Sequence, residues 1–546
     1  MGDMTVDDGG HLEALLECQV RTRPDAVACV TGGRTPRAVT FAELAAVIDR
    51  TAASLRTAGV RAGTRASVMV QPGVEMVAIV HALLRMGAVP VLVDRALPQP
   101  ALRACLAEAA PEVFIGVPLA QAARVALGWA RTCVRTTITV GPRRLWLGRT
   151  VRGRRAGVPP EWADGPQPTL DDVALIAYTS GTTGVPKGVP MRHGHLLAQV
   201  SMLERTRPLA PGTRVLSTFP PFAVAATLLG ACAVIPAADA RRPSVLVADV
   251  RRFGVTVLFA PPAVLDRVAR YCLPRGHVLD PVRTVFTAGA PLAHTVVERA
   301  RACLPADAVL YSAYGSTECM LVSAIEGRDL AVTGAVTAGG AGTCLGEPLP
   351  GQLVRIIAVT DGPIRKWSDD LLVPPGTIGE ITVTGPTVAD PYLERPGATA
   401  RARIADGDRT VHRTGDLGRL DDLGRLWFAG RAAERVRTPG GDLCTGHVEP
   451  IFDTLRGVHR TALVGVGPPP GQRPVLVVEP EPGTSRKQRA RIRSDALALA
   501  ARRPGTAAIR HVLFHYRFPV DVRHDTKIRR DELAVWAAHR LHRGAR

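Results

Sequence analysis

The sequence predicts an α/β protein of two unequal domains, and three observations predict it. Helix-patterned stretches alternate with short apolar strands from about Leu12 to Arg143, and again beyond residue 188. That alternation is the pattern of parallel βαβ units. After Gly351 the texture changes to short strands separated by turn residues, which reads as a small β-rich subdomain. Finally, 546 residues exceed what one hydrophobic core usually supports. The expected layout is a large N-terminal domain over 1–431, a hinge at 432–437 and a small mobile α+β domain over 438–546.

In chain order, Phe41–Leu55 repeats apolar residues at helical spacing. Ala66–Val70 and Val89–Val93 are short apolar runs on either side of a helical Val74–Met86, which makes a βαβ unit. Arg143–Gln167 is rich in Arg, Gly and Pro and reads as an exposed insertion. A strand at Val173–Tyr178 is followed by a helix near His195–Glu204 and strands at Arg214–Thr218, Val255–Phe259 and Val282–Thr287. The longest apolar stretch, Phe222–Ala238, carries Thr227, Gly230 and Pro236. It is too short and broken for a membrane span and reads as a buried helix running into a strand. Short strands at Gln352–Val359, Gly379–Val383 and Leu426–Phe428 build the β-rich part. Strands Thr461–Val466 and Val475–Glu479 with helices Ser485–Ala501 and Arg529–Leu541 build the C-terminal domain.

A net charge of +19 raises the question of nucleic acid. The basic residues are 64 arginines and four lysines, scattered through alanine-rich helices and not gathered in runs. A coding bias explains that better than a nucleic-acid surface. The ten cysteines include no C-x-x-C pair, so neither a zinc cage nor a secreted disulfide framework is expected. The acidic, polar start Met1–Asp8 does not resemble a signal peptide, and a cytoplasmic enzyme without a transmembrane segment is expected.

The most informative segment is Thr179-Ser180-Gly181-Thr182-Thr183-Gly184-Val185-Pro186-Lys187-Gly188, directly after the Val173–Tyr178 strand. Glycines let backbone N–H groups wrap an anion closely, hydroxyls add donors, and Lys187 adds a compact positive charge. It is a loop suited to polyphosphate. It is not the common P-loop, because no hydroxyl residue follows the lysine to hold magnesium. Of the four lysines, Lys187 and Lys527 lie in such motifs, where a small flexible ammonium serves better than a planar guanidinium.

This loop resembles the phosphate loop of the adenylate-forming enzymes: acyl-CoA ligases, luciferases and peptide-synthetase adenylation domains. Four more segments agree in order over about 350 residues. Thr287-Ala-Gly289-Ala290-Pro291-Leu292 is similar to the wall beside the adenine. Tyr314-Gly315-Ser-Thr317-Glu318 is similar to the signature whose tyrosine stacks on adenine, whose threonine contacts the α-phosphate and whose glutamate ligates Mg2+. Arg413-Thr-Gly-Asp416 through Arg431 is similar to the ribose segment. Asp525-Thr-Lys527 is similar to the mobile-lysine motif, with Lys527 placed against the carboxylate and α-phosphate. The resemblance implies ATP and Mg2+ as cofactors, with Lys527, Thr317 and Glu318 at the chemistry.

Within that superfamily, Phe219-Pro-Pro-Phe222, Trp427-Phe-Ala-Gly-Arg431 and Phe518-Pro-Val-Asp-Val-Arg-His524 resemble the β-lactone synthetases of bacterial olefin biosynthesis. That resemblance implies a long-chain, 2-alkyl-branched 3-hydroxy acid, cyclised by its own hydroxyl after adenylation. A lactone so made is either released or passed to a pathway enzyme that decarboxylates it to an alkene. The alternative is a fatty acyl-CoA ligase. Against it stand Ala433, where the hinge of such ligases carries Asp or Lys, Asp442 in place of arginine, and Cys444 in place of a tunnel glycine. A degenerate adenylate-binding scaffold is disfavoured by the intact Lys187, Glu318, Asp416 and Lys527. His524 is a candidate base for the hydroxyl, with simple packing as its other reading. The apolar Ala223–Ile235 is a candidate lining for the acyl chain.

Overall fold

The computed structural model describes residues 11–33, 35–141, 149–150, 167–179, 185–206, 209–219, 221–236, 242–520 and 527–544. Two large sheets organise the N-terminal domain. One has seven strands, ordered Arg149–Thr150, Thr136–Thr139, Val113–Gly116, Arg65–Met69, Val89–Leu92, Val173–Tyr178 and Gly188–Arg192. It is parallel except for its last strand, which pairs antiparallel with Val173–Tyr178. The loop read as a phosphate cradle joins those last two strands. Helix Val74–Arg85 carries apolar residues nearly all round and is buried along its length. Its position between elements on both sides explains that composition.

The second sheet has 14 strands and changes character midway. Strands Val27–Thr31, Cys232–Ile235, Arg214–Ser217, Val257–Phe259, Thr284–Ala288 and Val309–Ser316 run parallel. Val309–Ser316 then turns back on Cys319–Glu326, and from there the sheet is antiparallel through Thr343–Pro348, Leu426–Arg431, Arg409–Leu420, Gly379–Thr384 and Leu353–Ile357. The β-rich stretch expected as a separate subdomain therefore continues the large sheet, because Thr343–Pro348 pairs on both its edges.

Phe222–Leu228 is a buried helix and Cys232–Ile235 a central strand, as the broken apolar pattern implies. Most of the Arg143–Gln167 insertion lies outside the described residues. Beyond a short 3-10 turn at Ala432–Glu434 and the hairpin Val436–Thr438/Gly441–Leu443, the small C-terminal domain has its own sheet. Val458–Val466, Arg473–Pro480 and His511–Phe514 form it, with helix Arg486–Ala501 started by a capping box at Ser485. Among the described residues no helix is long and apolar enough to cross a membrane, and the ten cysteines are free.

Candidate active site

The place where the large sheet changes from parallel to antiparallel positions the chemistry. Ser316 pairs with Cys319, so Thr317 and Glu318 form the tip of a two-residue hairpin at the carboxyl end of a parallel strand. Ligand sites of open α/β sheets gather at such ends. A side chain could not replace Gly315: a Cβ there would lie 2.7 Å from the Leu321 nitrogen and 3.0 Å from the Cys319 carbonyl. On the neighbouring strand end, Gly289 adopts φ +93°, a left-handed conformation that favours glycine, and leads into Ala290 and Pro291.

One cavity of about 2320 Å³ joins these tips to the rest of the predicted set. Thr179, Lys187, Gly289, Ala290, Pro291, Tyr314, Gly315, Thr317, Glu318, Asp416, Arg431 and Lys527 all line it. Ser180, Gly181, Thr182, Thr183 and Gly184 lie outside the described residues, as does His524. Around that gap, Thr179 and Lys187 face each other through two hydrogen bonds of 3.1 Å, closing the base of the loop.

Asp416 and Arg431 are register partners on adjacent strands. The Tyr314 hydroxyl donates to Asp416 Oδ2 at 2.8 Å, and Arg431 Nε approaches Oδ1 at 3.5 Å. Oδ1 is buried and accepts no hydrogen bond among the described residues. Burial pushes the Asp416 carboxyl up from its ordinary value, against the pull of Arg431, the Tyr314 hydroxyl and Lys527. That last influence places the C-terminal lysine within electrostatic reach of the candidate ribose carboxylate. Arg413, three strand positions earlier, is buried against Glu380 and donates to the Thr360 and Gly362 carbonyls, which anchors the segment.

Glu318 is buried, yet its carboxyl is held well below the ordinary range. Burial alone would raise it. His412, also buried and itself pushed down by desolvation and by Arg403, is the strongest of the groups that lower this carboxyl. The hydroxyls of Tyr392 and Ser316 and the Lys187 ammonium act in the same direction. An ionised carboxylate facing a polyphosphate loop is the donor set magnesium takes, which uses one or two carboxylates and completes its shell with phosphate and water. The residues fit that ion. Among the described residues no cluster of three His, Cys, Asp or Glu side chains could hold a metal without such help.

Sequence reading missed Tyr392. Its hydroxyl donates to Glu318 Oε1 at 2.6 Å and accepts from Lys187 Nζ at 3.3 Å, with the ammonium 4.4 Å from the ring centroid. Its setting, Ala-Asp-Pro-Tyr-Leu, carries no ligand-like spacing; that it alone of the six tyrosines adjoins a proline is its one mark.

The other part of the cavity is apolar. Helix Phe222–Leu228 contributes Val224, Ala225 and Leu228; Phe222 stacks on Phe259 with centroids 4.4 Å apart. Met76, Val80 and Leu84 come from helix Val74–Arg85, and Leu196, Val200 and Leu203 from helix His193–Thr206. The sets on the two longer helices repeat at one helical turn and so each present one stripe. The expected lining Ala223–Ile235 is corrected accordingly: its helical front half lines the chamber, and strand Cys232–Ile235 is core of the large sheet.

Asp442 also reads differently in place. Its carboxylate accepts from Arg435 at 2.7 Å, and Arg435 and Arg437 both reach Asp361. Two acids thus face two bases, and little net repulsion of phosphate is left. Cys444 precedes helix Thr445–Asp453, and its thiol is pushed up to about 11 by burial.

Known proteins agree with this geometry. The model of a family described as AMP-binding enzyme matches residues 16–393. The chain is 45% identical over 551 residues to an olefin beta-lactone synthetase of Xanthomonas campestris pv. campestris, covering 97% of each. It is 44% identical over 559 residues to one of Stenotrophomonas maltophilia, covering 98% of this chain and 99% of the other. Among solved structures, the amide bond synthetase McbA of Marinactinospora thermotolerans superposes with a TM-score of 0.81 at 23% identity, over 96% of this chain and 99% of that one. Motif order, cavity and full-length similarity lead to one conclusion: the chain belongs to the AMP-binding enzyme family.

Proposed function

We propose that the protein is an ATP-dependent β-lactone synthetase acting on a long-chain 3-hydroxy acid, branched by an alkyl group at C2. The observation that carries this reading is the shared cavity, which Thr179, Lys187, Glu318, Asp416 and Lys527 line together with apolar residues of three helices. Full-length relatives named olefin beta-lactone synthetases support it.

In the first step a carboxylate oxygen of the acid attacks the α-phosphorus of ATP. The P–O bond to pyrophosphate breaks and an acyl-AMP forms. Lys187 and the Thr179–Gly188 loop hold the phosphates, and Asp416 with Arg431 holds the ribose. Lys527 offsets charge on the entering carboxylate and the α-phosphate, where a preorganised cation is worth most. Glu318 would hold magnesium, which would supply positive charge against the phosphates. In the second step the C3 hydroxyl oxygen attacks the acyl carbon, the acyl–phosphate bond breaks, and AMP leaves as the hydroxyl proton is lost. Holding both groups on one substrate supplies a high effective molarity against ring strain. On this reading the hinge is 432–437, ahead of the part of the chain that carries Lys527.

The second reading, an acyl-CoA ligase, is favoured by the neutralised Asp442 and opposed by Ala433 and Cys444. Incubation with ATP, magnesium and a racemic 2-alkyl-3-hydroxy acid, with and without CoA, separates the two by mass spectrometry. Loss of one water from the acid together with AMP, CoA absent, is the expected result. A product that forms only as the CoA thioester overturns the lactone reading.

A further inference from the structure

Lys187 and Glu318 come from different sheets and are 131 positions apart in the chain, yet their chemistry needs them a few ångströms apart. Segment 388–393 ties the two together. Toward the hairpin tip, Ala389 donates to the Glu318 carbonyl at 2.9 Å, and Val388 bridges Cys319. Toward the phosphate loop, Leu393 donates to the Gly188 carbonyl at 2.9 Å and Asp390 to that of Pro190 at 3.2 Å. Asp390 also takes Arg192 in an ion pair of 2.9 Å. The backbone is thus laced to both motifs, and the Tyr392 side chain packs with Val189, Met191 and Ala389.

Among the described residues, one hydroxyl at the centre of this strut touches both functional groups. Tyr392 donates a hydrogen bond to Glu318 Oε1 and accepts one from Lys187 Nζ. A phenol 6% exposed, with its ring held by packing, has little freedom to point elsewhere. It fixes one carboxylate oxygen and leaves the other for a ligand, and it holds the ammonium over its ring until phosphate draws it away. We infer that Tyr392 is a positioning residue for the adenylation step, setting the distance between the phosphate lysine and the metal carboxylate before nucleotide arrives. The inference rests on the roles proposed for Lys187 and Glu318, and none of it depends on which acid is activated.

The test is Tyr392→Phe, which removes the hydroxyl and keeps the ring. Binding of Mn2+ with a non-hydrolysable α,β-methylene ATP, followed by electron paramagnetic resonance, needs no acid substrate. The variant is expected to bind the metal about ten- to a hundredfold more weakly, the loss typical of a hydrogen bond to a charged group. The Mg2+ half-saturation of ATP–pyrophosphate exchange should rise in step, while the KM of the acid stays within about twofold. In the Glu318→Gln background, adding Tyr392→Phe should cost less than about twofold more, since the hydroxyl acts through that carboxylate. Wild-type metal affinity in the Phe variant, independent additive losses, or a Phe variant that does not fold would each overturn the inference. A wild-type protein that binds Mn2+ and nucleotide but activates no 3-hydroxy acid sinks the lactone reading and leaves the role of Tyr392 standing.

Discussion

The two ends of the cavity are built on opposite principles. At the nucleotide end, buried polar groups hold one another: Tyr314 on Asp416, Tyr392 on Glu318 and Lys187, Arg413 on Glu380. Each group has a partner that only one geometry satisfies, so the end is rigid and exacting. At the acyl end, apolar residues of three helices meet through contacts that are not directional. The first end can discriminate a phosphate from a sugar; the second discriminates length and width. Changes at the first should therefore act on every substrate alike, and changes at the second should act on the acid alone.

The largest effect expected is that of Lys527→Ala. Removing a cation aimed at developing charge costs about a hundred- to a thousandfold in rate, read as ATP–pyrophosphate exchange with acids of any chain length. Exchange at the wild-type rate would take the lysine out of the chemistry. Next comes Asp416→Asn, which keeps the shape and removes the charge: the KM of ATP should rise about tenfold or more, with that of the acid unmoved. An equal rise in both would mean that Asp416 supports the whole cleft and not the nucleotide end. Smallest is Ala225→Phe on the helix Phe222–Leu228. Shortening the chamber should cost about fourfold in kcat/KM for each methylene that no longer finds cover, measured across a series of acid lengths at fixed ATP. A matching loss of ATP affinity would show that the two ends are not separable.

The same contrast governs what could be read without coordinates. The nucleotide end was legible because its chemistry needs particular residue types in short runs: Lys187 after its glycines, Thr317-Glu318 after Tyr314-Gly315, Asp416 after Arg413-Thr-Gly. The acyl end was not, because Met76, Val80 and Leu84 at one-turn spacing are identical in pattern to core. The parallel strands that were assigned lie within one or two residues of the observed ones, since buried strands are nearly continuous apolar runs, whereas Val27–Thr31, Val113–Gly116, Thr136–Thr139 and Val309–Ser316 went unassigned. What escaped was pairing. The merging of the β-rich stretch into the large sheet depends on Thr343–Pro348 meeting the strand before it on one edge and the distant Leu426–Arg431 on the other. Asp442 was weighed as a bare charge, whereas Arg435 stands 2.7 Å away. Tyr392 had no local mark but its adjoining proline; its meaning lies in two contacts from opposite sheets.

Asp416 Oδ1, buried with Arg431 at 3.5 Å and no hydrogen bond among the described residues, has a consequence for the protein's lifetime. A buried acceptor short of a hydrogen bond weakens the folded state, and a ribose hydroxyl is a donor of matching chemistry. Any ligand that binds the native chain and not the unfolded one adds stability by mass action, about 2.7 kcal/mol at a hundred times its dissociation constant. On the proposed reading, a cell short of ATP holds this enzyme in its least durable form. Its abundance would then follow the energy charge through proteolysis, with no dedicated regulator.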